Sequence, residues 1–509
     1  MRPCSPAYSL GTVVDKRRSA RTRNGIALIV LLALAGAALG VMRARREPDT
    51  RDPLPFTSAG PTVDALREAA AGANLVICVI DAARADHVGC YGYPRETTPN
   101  IDRLARESVL FGEHFAQYAS TKCSTASLFT SQHADTHLAY ERRPLMEGTF
   151  TLATGLGAAG FRTVMFSSNP NAAPGTGLGF DFQEVYDQRH VEPLVESWEQ
   201  FTDPRPLLTL IESWLTKHRR QRFFAYIHFD PPHQPYLQPE AMTQLFAGEQ
   251  PPHFQRGPYE FPVGDREVLA GSLHPALPEW INLYDANLRF GDWAVGELER
   301  LLREAGVFDN TVLLVTSDHG EAFGEHGYIW HERGVYDELV HIPLLLRLPG
   351  GATTSEIGDL TQTIDVLPTV FDLYEIACPR EGIQGTSLLP LMAGLEGAAN
   401  DSVISRSDGD PPSYLVRSQD WSLILYGNGT WRSLHDLGAD PGQRRNVMAD
   451  HSQVAEEMVA AFREFAAAQA RPPVEFLDPE AKPLPLPDVA QTALTPETRR
   501  QLRALGYME

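Results

Sequence analysis

From residue 74 onward, the chain alternates short apolar runs with longer stretches whose apolar residues recur at helical spacing. The apolar runs cover residues 74–80, 161–168, 222–229, 311–317 and 342–348. Each run is rich in β-branched or aromatic residues and is bounded by polar ones, as buried parallel strands are. Strands that alternate with helices predict an α/β fold, in which helices cover both faces of a mostly parallel central sheet.

The pattern changes past about residue 400. The stretch "SYLVRSQDWSLILYGNGTWRSLHDL" indicates three short strands, with an Asn-Gly turn at Asn428 and Gly429 that makes them antiparallel. A helix follows over about residues 452–469, and then a proline-rich tail. We therefore predict a large α/β domain over residues 74–400, and a small C-terminal sheet with a helix and tail over residues 401–509.

The N-terminal segment contains one long apolar stretch. Residues 26–42 carry no charge and are flanked by five Lys or Arg residues before them and three Arg after them. This length is at the short end of the roughly 17–25 residues that span a bilayer. We predict a basic cytoplasmic tail over residues 1–24, a transmembrane signal anchor over 25–42 and a linker over 43–73. A signal peptide cut after Ala35-Gly36-Ala37 is the alternative. The positive-inside rule favours a single-pass inner-membrane protein with a periplasmic body.

Charge and cysteine content exclude several classes of protein. The 509 residues carry a net charge of −21, and the chain beyond Arg51 is more acidic still, because the first 51 residues are basic. An acidic body repels a nucleic-acid backbone, so we expect no nucleic-acid partner. The five cysteines are scattered without CxxC spacing, which argues against a zinc ribbon or a disulfide framework.

Polar side chains follow two of the predicted strands. Asp81 comes directly after the run 74–80, and Asp318 and His319 come after the run 311–317. Sites in open α/β sheets form beyond the C-terminal ends of strands, and a set of carboxylates and a histidine suits a metal ion. Residues of these types at a strand end also serve as capping groups. A third element is "STKCSTASLFTS", where Thr121 stands at the start of a predicted helix, whose N-terminus would attract an anionic ester.

Together these segments resemble the sulfatase-like branch of the alkaline phosphatase superfamily. The resemblance covers nearly everything from residue 74 to the C-terminus. It is carried by "NLVICVIDAARADHVGCYGYPRETTPNIDRLARES", "TSDHGEAFGEHG", "VYDELVHIPLLLRLPG", "TIDVLPTVFDL" and "SLHDLGADPGQRRNV". It implies an alkaline-phosphatase-like three-layer α/β/α fold, and a catalytic domain over residues 74–400.

The resemblance also selects the nucleophile. Sulfatases of this group carry a Cys or Ser, two positions before a Pro, that is oxidised to formylglycine and is followed by an "ASLLTG"-like helix. Aligning "ASLFTS" with that helix puts Thr121 at the nucleophile position and Cys123 where the Pro would stand. A threonine nucleophile resembles the phosphoglycerol and phosphoethanolamine transferases and the nucleotide phosphodiesterases of the superfamily. We therefore expect no formylglycine.

Further site residues are implied by the same resemblance. It gives Asp81, Thr121, Asp318 and His319 as ligands of one divalent metal. The candidates are Mn, Zn, Mg and Ca, and a histidine ligand with Ala82 in place of a second carboxylate favours Mn or Zn. His233 and His331 match histidines on the substrate side, which contact ester oxygens or protonate the leaving group. Lys122 and Asn169 are weaker candidates for substrate binding, Arg84 and Asp86 brace the first loop, and His326 is structural.

The sequence thus predicts a hydrolase of sulfate or phosphate esters that acts through a metal-bound Thr121 and a covalent intermediate. Its substrate would be a small-molecule, lipid or glycan ester. Two enzymatic alternatives remain: a transferase that moves phosphoglycerol or phosphoethanolamine from a lipid donor, and a two-metal phosphodiesterase with Asp230 and His233 in a second site. A catalytically inactive protein that binds anionic glycans is the non-enzymatic alternative.

Overall fold

The computed structural model describes residues 61–473 and 476, apart from 141–142, 196–201, 252–276, 328, 332–333, 352, 380, 396, 409–411 and 428–430. The predicted cytoplasmic tail, signal anchor and C-terminal tail lie outside this part of the chain, as does the Asn428-Gly429 turn. Within it, no helix is both long and apolar enough to cross a membrane.

Among the described residues, the central sheet has eight strands in the order β10-β2-β9-β6-β1-β5-β3-β4. All neighbouring pairs are parallel except the two that involve β9, which runs antiparallel to β2 and β6. The strands are β1 (Asn74–Ile80), β2 (Val109–Phe115), β3 (Arg162–Ser167), β4 (Glu184–Tyr186), β5 (Phe223–Phe229), β6 (Thr311–Thr316), β9 (Leu344–Arg347) and β10 (Ser355–Gln362). The short strands β7 (Ala322–Phe323) and β8 (Ile329–Trp330) form a separate antiparallel pair.

Helices connect and cover these strands. In chain order they are α1 (Val63–Ala70), α2 (Pro99–Ala105), α3 (Thr121–Thr130), α4 (Ala134–His137), α5 (Leu152–Ala158), α6 (Gln188–Val191), α7 (Pro204–His218), α8 (Glu240–Phe246), α9 (Leu277–Glu304), α10 (Asp337–Val340), α11 (Val366–Leu373), α12 (Leu389–Met392) and α13 (Ser452–Ala468). Short 3₁₀ turns, such as Ala85–His87 and Thr363–Asp365, complete the connections.

The strand β1 shows why the sheet is covered on both faces. Every residue of β1 is buried. Leu75, Ile77 and Val79 belong to one apolar core, whereas Val76, Cys78 and Ile80 belong to the other. Successive side chains of a strand point to opposite faces, so each face of the sheet has its own core beneath a layer of helices. The predicted three-layer fold with a mostly parallel sheet is confirmed.

The small C-terminal sheet is also confirmed, with one strand more than predicted. Its described strands are β11 (Val403–Arg406), β12 (Ser413–Arg417), β13 (Trp421–Tyr426) and β14 (Trp431–Asp436), all antiparallel. Helix α13 packs its apolar side against this sheet. Strand β11 was not predicted. Its last residue, Arg406, donates its N–H to Gln117 O at 2.9 Å, which ties the small sheet to the segment that leads into α3.

Candidate active site

The carboxyl ends of four neighbouring strands form one edge of the central sheet. The order β6-β1-β5-β3 is parallel throughout, so the residues that follow these strands lie together. They are Asp318 and His319 after β6, Asp81 after β1, Asp230 to His233 after β5, and Ser168 and Asn169 after β3. This edge therefore brings together most of the residues that the sequence indicated.

Asp81, Asp318, His319 and Thr121 converge at this edge, and all four are buried. His319 Nε2 lies 3.5 Å from Asp81 Oδ1, 3.6 Å from Asp318 Oδ2 and 3.2 Å from Thr121 Oγ1. The other ring nitrogen of His319 lies 2.8 Å from the carbonyl oxygen of Gly320. A carbonyl can only accept, so Nδ1 carries the proton and Nε2 presents a lone pair. The His319 ring is therefore oriented as a metal-ligating histidine would be.

Two carboxylate oxygens in this cluster are unsatisfied. Asp81 Oδ1 and Asp318 Oδ2 are fully buried and have no hydrogen-bond partner, although both lie beside His319 Nε2. Buried polar atoms without partners are rare and call for an explanation such as an ion. Two carboxylate oxygens, an imidazole nitrogen and a hydroxyl form a donor set that a divalent cation accepts, so these residues fit the cofactor that the sequence implied.

The second oxygen of Asp81 is held by two side chains. Asn169 Nδ2 lies 2.5 Å from Asp81 Oδ2, and His228 Nε2 lies 3.0 Å from the same atom. Tyr226 lies behind His228, with its hydroxyl 2.9 Å from His228 Nδ1. The ligand atoms of Asp81, His228 and Asp318 are within 4.8 Å of one another, and the described residues contain no other such group of three.

His228 is not among the site residues that the sequence predicted. The available signal was a histidine next to the last residue of an otherwise apolar strand, at the same edge as Asp81. Asn169, predicted as a weak substrate-binding residue, lies against Asp81, and its Oδ1 accepts the N–H of Asn171 at 2.7 Å. Both ends of its amide are therefore engaged by the protein.

The pKa values of Asp81 and Asp318 are shifted in opposite directions. Burial raises the pKa of Asp81 well above its ordinary value, and the charge of Asp318 raises it further. Burial also acts to raise the pKa of Asp318. His319 and His228, together with the N–H groups of Ala82 and His319, outweigh burial and hold that pKa below its ordinary value. The protein alone thus favours one ionised carboxylate in the pair.

Thr121 is the first residue of α3, directly after the N-cap residue Ser120. Its hydroxyl is therefore at the positive end of a ten-residue helix, where backbone N–H groups favour anions. Cys123, on the same turn, donates its Sγ–H to Ala139 O at 3.3 Å and packs in a small apolar cluster with Tyr118 and Tyr140. Burial raises the pKa of this thiol to about 12, so Cys123 remains protonated at neutral pH. Lys122 is half-buried.

The two predicted substrate-side histidines lie beside His319. The ring centroid of His331 is 4.3 Å from that of His319 and 5.0 Å from that of His233. Burial lowers the pKa of His331 to about 4 and that of His233 to about 3. The ring of His233 is fixed by its Nδ1, which lies 2.6 Å from Gln234 O, and that of His331 by its Nδ1, which lies 3.2 Å from Glu321 Oε1.

Asp230 belongs to a different part of this edge. Its Oδ2 accepts from Ser168 Oγ at 2.6 Å, and burial raises its pKa to about 6. His233 joins it through a backbone turn, in which His233 N donates to Asp230 O at 2.8 Å. Neither residue belongs to the group of possible metal ligands found among the described residues.

The loops that carry the site are braced by buried charges. Arg84 forms ion pairs of 2.7 Å with Asp86 and 2.5 Å with Glu325, and donates to the backbone oxygen of Glu321 at 2.9 Å. These contacts join the loop after β1 to the loop after β6, in agreement with the bracing role predicted for Arg84 and Asp86. His326 lies 2.7 Å from Glu338 Oε1 and 3.1 Å from Gln443 O, and thus fastens the second loop to the C-terminal region.

The sheet, the helix N-terminus and the edge cluster together define a hydrolase of the alkaline phosphatase superfamily. The sulfatase family model matches residues 73–376, and the model for the C-terminal region of N-sulphoglucosamine sulphohydrolase matches residues 324–468. The chain therefore belongs to the sulfatase family, and it is a hydrolase of sulfuric or phosphoric esters.

Two relatives and one solved structure are similar to this chain. Human iduronate 2-sulfatase is 25% identical over 465 residues, which cover 77% of this chain and 79% of that protein. Arylsulfatase K from Canis lupus familiaris is 29% identical over 175 residues, but that match spans only 32% of either chain. The crystal structure of phosphonate monoester hydrolase from Agrobacterium radiobacter covers 77% of this chain and 95% of its own, with a TM-score of 0.66 at 20% identity, which speaks to the fold alone.

Proposed function

We propose that this protein hydrolyses sulfate or phosphate esters with Thr121 as the nucleophile. The observation that carries the proposal is the position of Thr121 Oγ1, which lies 3.2 Å from His319 Nε2 at the start of α3. His319 in turn lies beside two unsatisfied carboxylate oxygens. Sulfate esters are the first substrates to test, because both relatives above are named sulfatases.

Asp81, Asp318, His319 and Thr121 would hold a divalent cation. A mixed set of oxygen and nitrogen donors with few carboxylates suits manganese or zinc better than calcium. When bound, such an ion neutralises the charge of the ester group and favours the ionised form of the Thr121 hydroxyl. The N-terminus of α3 adds its partial positive charge on the same side.

The side chains then divide the reaction into two displacements. Ionised Thr121 attacks sulfur or phosphorus, the bond to the leaving oxygen breaks, and His331 or His233 stabilises the leaving anion or protonates it. Water next attacks the threonine ester, gives its proton to the histidine that donated one or to the departed anion, and regenerates ionised Thr121. The burial of both histidines keeps bulk water from competing with these proton transfers.

An assay of the full-length chain in detergent tests this proposal. The protein is supplied with manganese, zinc, magnesium or calcium in turn and offered an aryl sulfate, an aryl phosphate and an aryl phosphodiester. We expect Thr121→Ala to abolish turnover, Thr121→Ser to retain part of it and Cys123→Ala to leave it nearly unchanged. Activity that disappears with Cys123 and survives without Thr121 would contradict the nucleophile assignment and restore formylglycine chemistry.

The same assay separates the alternatives. Turnover that requires an added alcohol or glycan acceptor would favour the phosphoglycerol or phosphoethanolamine transferase. Two bound cations per chain, measured by elemental analysis, would favour the phosphodiesterase with Asp230 and His233. Binding of sulfated glycans without turnover by any metal form would favour the inactive binding protein.

We also propose that residues 25–42 anchor the protein in the inner membrane with its catalytic domain in the periplasm. The support is the uncharged stretch 26–42 and the basic residues before it. Protease added to spheroplasts should digest the catalytic domain of the membrane-bound protein. Full protection of that domain, with digestion only after lysis, would place it in the cytoplasm.

A further inference from the structure

Ala82, the residue directly after Asp81, has a backbone conformation that alanine rarely adopts. Its φ is 60°, in the left-handed region that favours glycine, and the residue is 0% exposed. A Cβ at such a φ lies too close to the backbone, so the conformation persists only where surrounding contacts hold it. Other parts of the fold therefore keep this turn in place.

The turn at Ala82 also orients a second residue of the site. The N–H of Ala82 donates to Asp318 Oδ1 at 3.1 Å, and the N–H of His319 donates to the same oxygen at 2.9 Å. Asp318 Oδ2 is left without a hydrogen-bond partner, 3.6 Å from His319 Nε2. The chain thus turns away from β1 at Ala82 while its N–H stays directed at Asp318, and this arrangement leaves Oδ2 available for a cation.

A buried tyrosine bridges the two sides of this turn. The hydroxyl of Tyr284, on helix α9, donates to Ala82 O at 2.8 Å and accepts the N–H of Arg84 at 3.0 Å. One hydroxyl thus satisfies two backbone groups that belong to no strand or helix. The tyrosine ring packs edge-on against Phe323, with 4.9 Å between ring centroids, and Tyr284 is 0% exposed. The hydroxyl is therefore held in place by the packing of its own ring.

We propose that Tyr284 is a positioning residue for the cation site, which holds the turn at Ala82 so that its N–H keeps Asp318 directed at the cation. Tyr284 contacts neither ester nor cation in this role, because it acts through Ala82 and Asp318. The inference rests on the proposed function, which names the residues that hold the cation, and deepens it by assigning their geometry to a residue 202 positions from Ala82. Groups that orient metal ligands in this way change metal affinity by about 10- to 100-fold when they are removed.

The test is the affinity of the full-length chain for manganese, measured by competition with a chelator. Tyr284→Phe removes the hydroxyl and keeps the ring. Tyr374→Phe is the matched control, since the Tyr374 hydroxyl donates to Asn74 O at 2.9 Å, at the other end of β1. Both variants lose a bond from a hydroxyl to a backbone oxygen, so both should lower the Tm in EDTA. We expect Tyr284→Phe to raise the Kd for manganese by about 10- to 100-fold, and Tyr374→Phe to leave it unchanged.

A glycine at position 82 shows whether Tyr284 acts through the turn. Glycine adopts a φ of 60° without steric cost, so the turn depends less on the Tyr284 hydroxyl in Ala82→Gly. In that background, Tyr284→Phe should raise the Kd for manganese by a factor at least about 3 times smaller than it does in the wild-type background.

Three results would overturn the inference: an unchanged Kd for manganese in Tyr284→Phe, an equal rise in Tyr374→Phe, or the same rise with alanine and with glycine at position 82. Manganese binding that is weakened only in Tyr284→Phe would support the inference even if the wild type hydrolysed none of the esters, a result that would refute the proposed function alone. A wild type that binds no manganese would remove the cation site, and the inference with it.

Discussion

Replacing Asp81 with Asn should stabilise the cation-free protein and abolish its response to added manganese. In the wild type, the unsatisfied Asp81 Oδ1 lies next to a second carboxylate, Asp318, at a fully buried position. Asparagine has nearly the same shape, removes the cost of ionising a buried carboxyl and can turn an N–H towards His319 Nε2. An unsatisfied buried acceptor costs about 1–3 kcal/mol, so the variant should gain stability of that order without the cation.

The free energy by which the cation stabilises the wild type, and the resulting rise in Tm, can also be estimated. A ligand at 100 times its Kd stabilises the folded state by about 2.7 kcal/mol. At about 2.1 cal/mol/K per residue, a folded unit of about 400 residues unfolds with an entropy of about 0.84 kcal/mol/K. Manganese should therefore raise the Tm of the wild type by about 3 °C, and that of Asp81→Asn by much less.

Differential scanning calorimetry in EDTA measures the Tm of the cation-free protein. A second scan in manganese measures the rise in Tm that the cation causes. Asp420→Asn is the matched control, because it makes the same chemical change at an exposed residue and should behave as the wild type does. An equal rise in Tm for the wild type and Asp81→Asn would show that manganese binds elsewhere. A lower Tm for Asp81→Asn in EDTA would refute the electrostatic argument.

Three other predictions concern side chains around the site. His228→Asn, which removes the contact with Asp81, should weaken manganese binding by about 10- to 100-fold, measured by competition with a chelator. Cys123 should resist alkylation at pH 8 in the folded protein and react after denaturation, as mass spectrometry can show, because burial raises its pKa to about 12. Burial acts to lower the pKa of His326, but Glu338 outweighs it and raises that pKa above its ordinary value. A raised pKa stabilises the fold fully below about pH 6.5, and the benefit is lost as the pH rises through the folded-state value. His326→Gln should therefore destabilise the protein more at pH 6 than at pH 9 in urea unfolding, and an equal loss at both would contradict this sign.

Five strands of the central sheet could be predicted because their side chains are buried on both faces. The run 74–80 matches β1 at both ends, since every residue from Asn74 to Ile80 is enclosed. Strands β2, β4 and β10 were missed, because β2 and β10 mix polar with apolar residues and β4 has three half-buried ones. No local sequence pattern predicts that β9 runs antiparallel to its neighbours. Its direction depends on how the chain enters the sheet between β2 and β6.

The site residues also divide into those that the sequence could predict and those that it could not. Asp81, Asp318 and His319 follow strands that the apolar pattern reveals, so their position at the edge could be inferred. The place of His228 beside Asp81 could not be inferred, because it depends on which atom of Asp81 the histidine contacts. The chemical roles of all these residues, including Thr121, His233 and His331, stay predictions until the variants are measured.

The parallel pairing of β1 with β6 has a consequence for the order of assembly. Asp81 and Asp318 are more than 200 positions apart in the sequence, yet the site needs both. Contacts of such long sequence separation form slowly, after the intervening chain has been made and ordered. The proposed cation could therefore be captured only by a chain whose central sheet is already closed, which would make metal uptake a late event in biogenesis and a direct readout of completed folding.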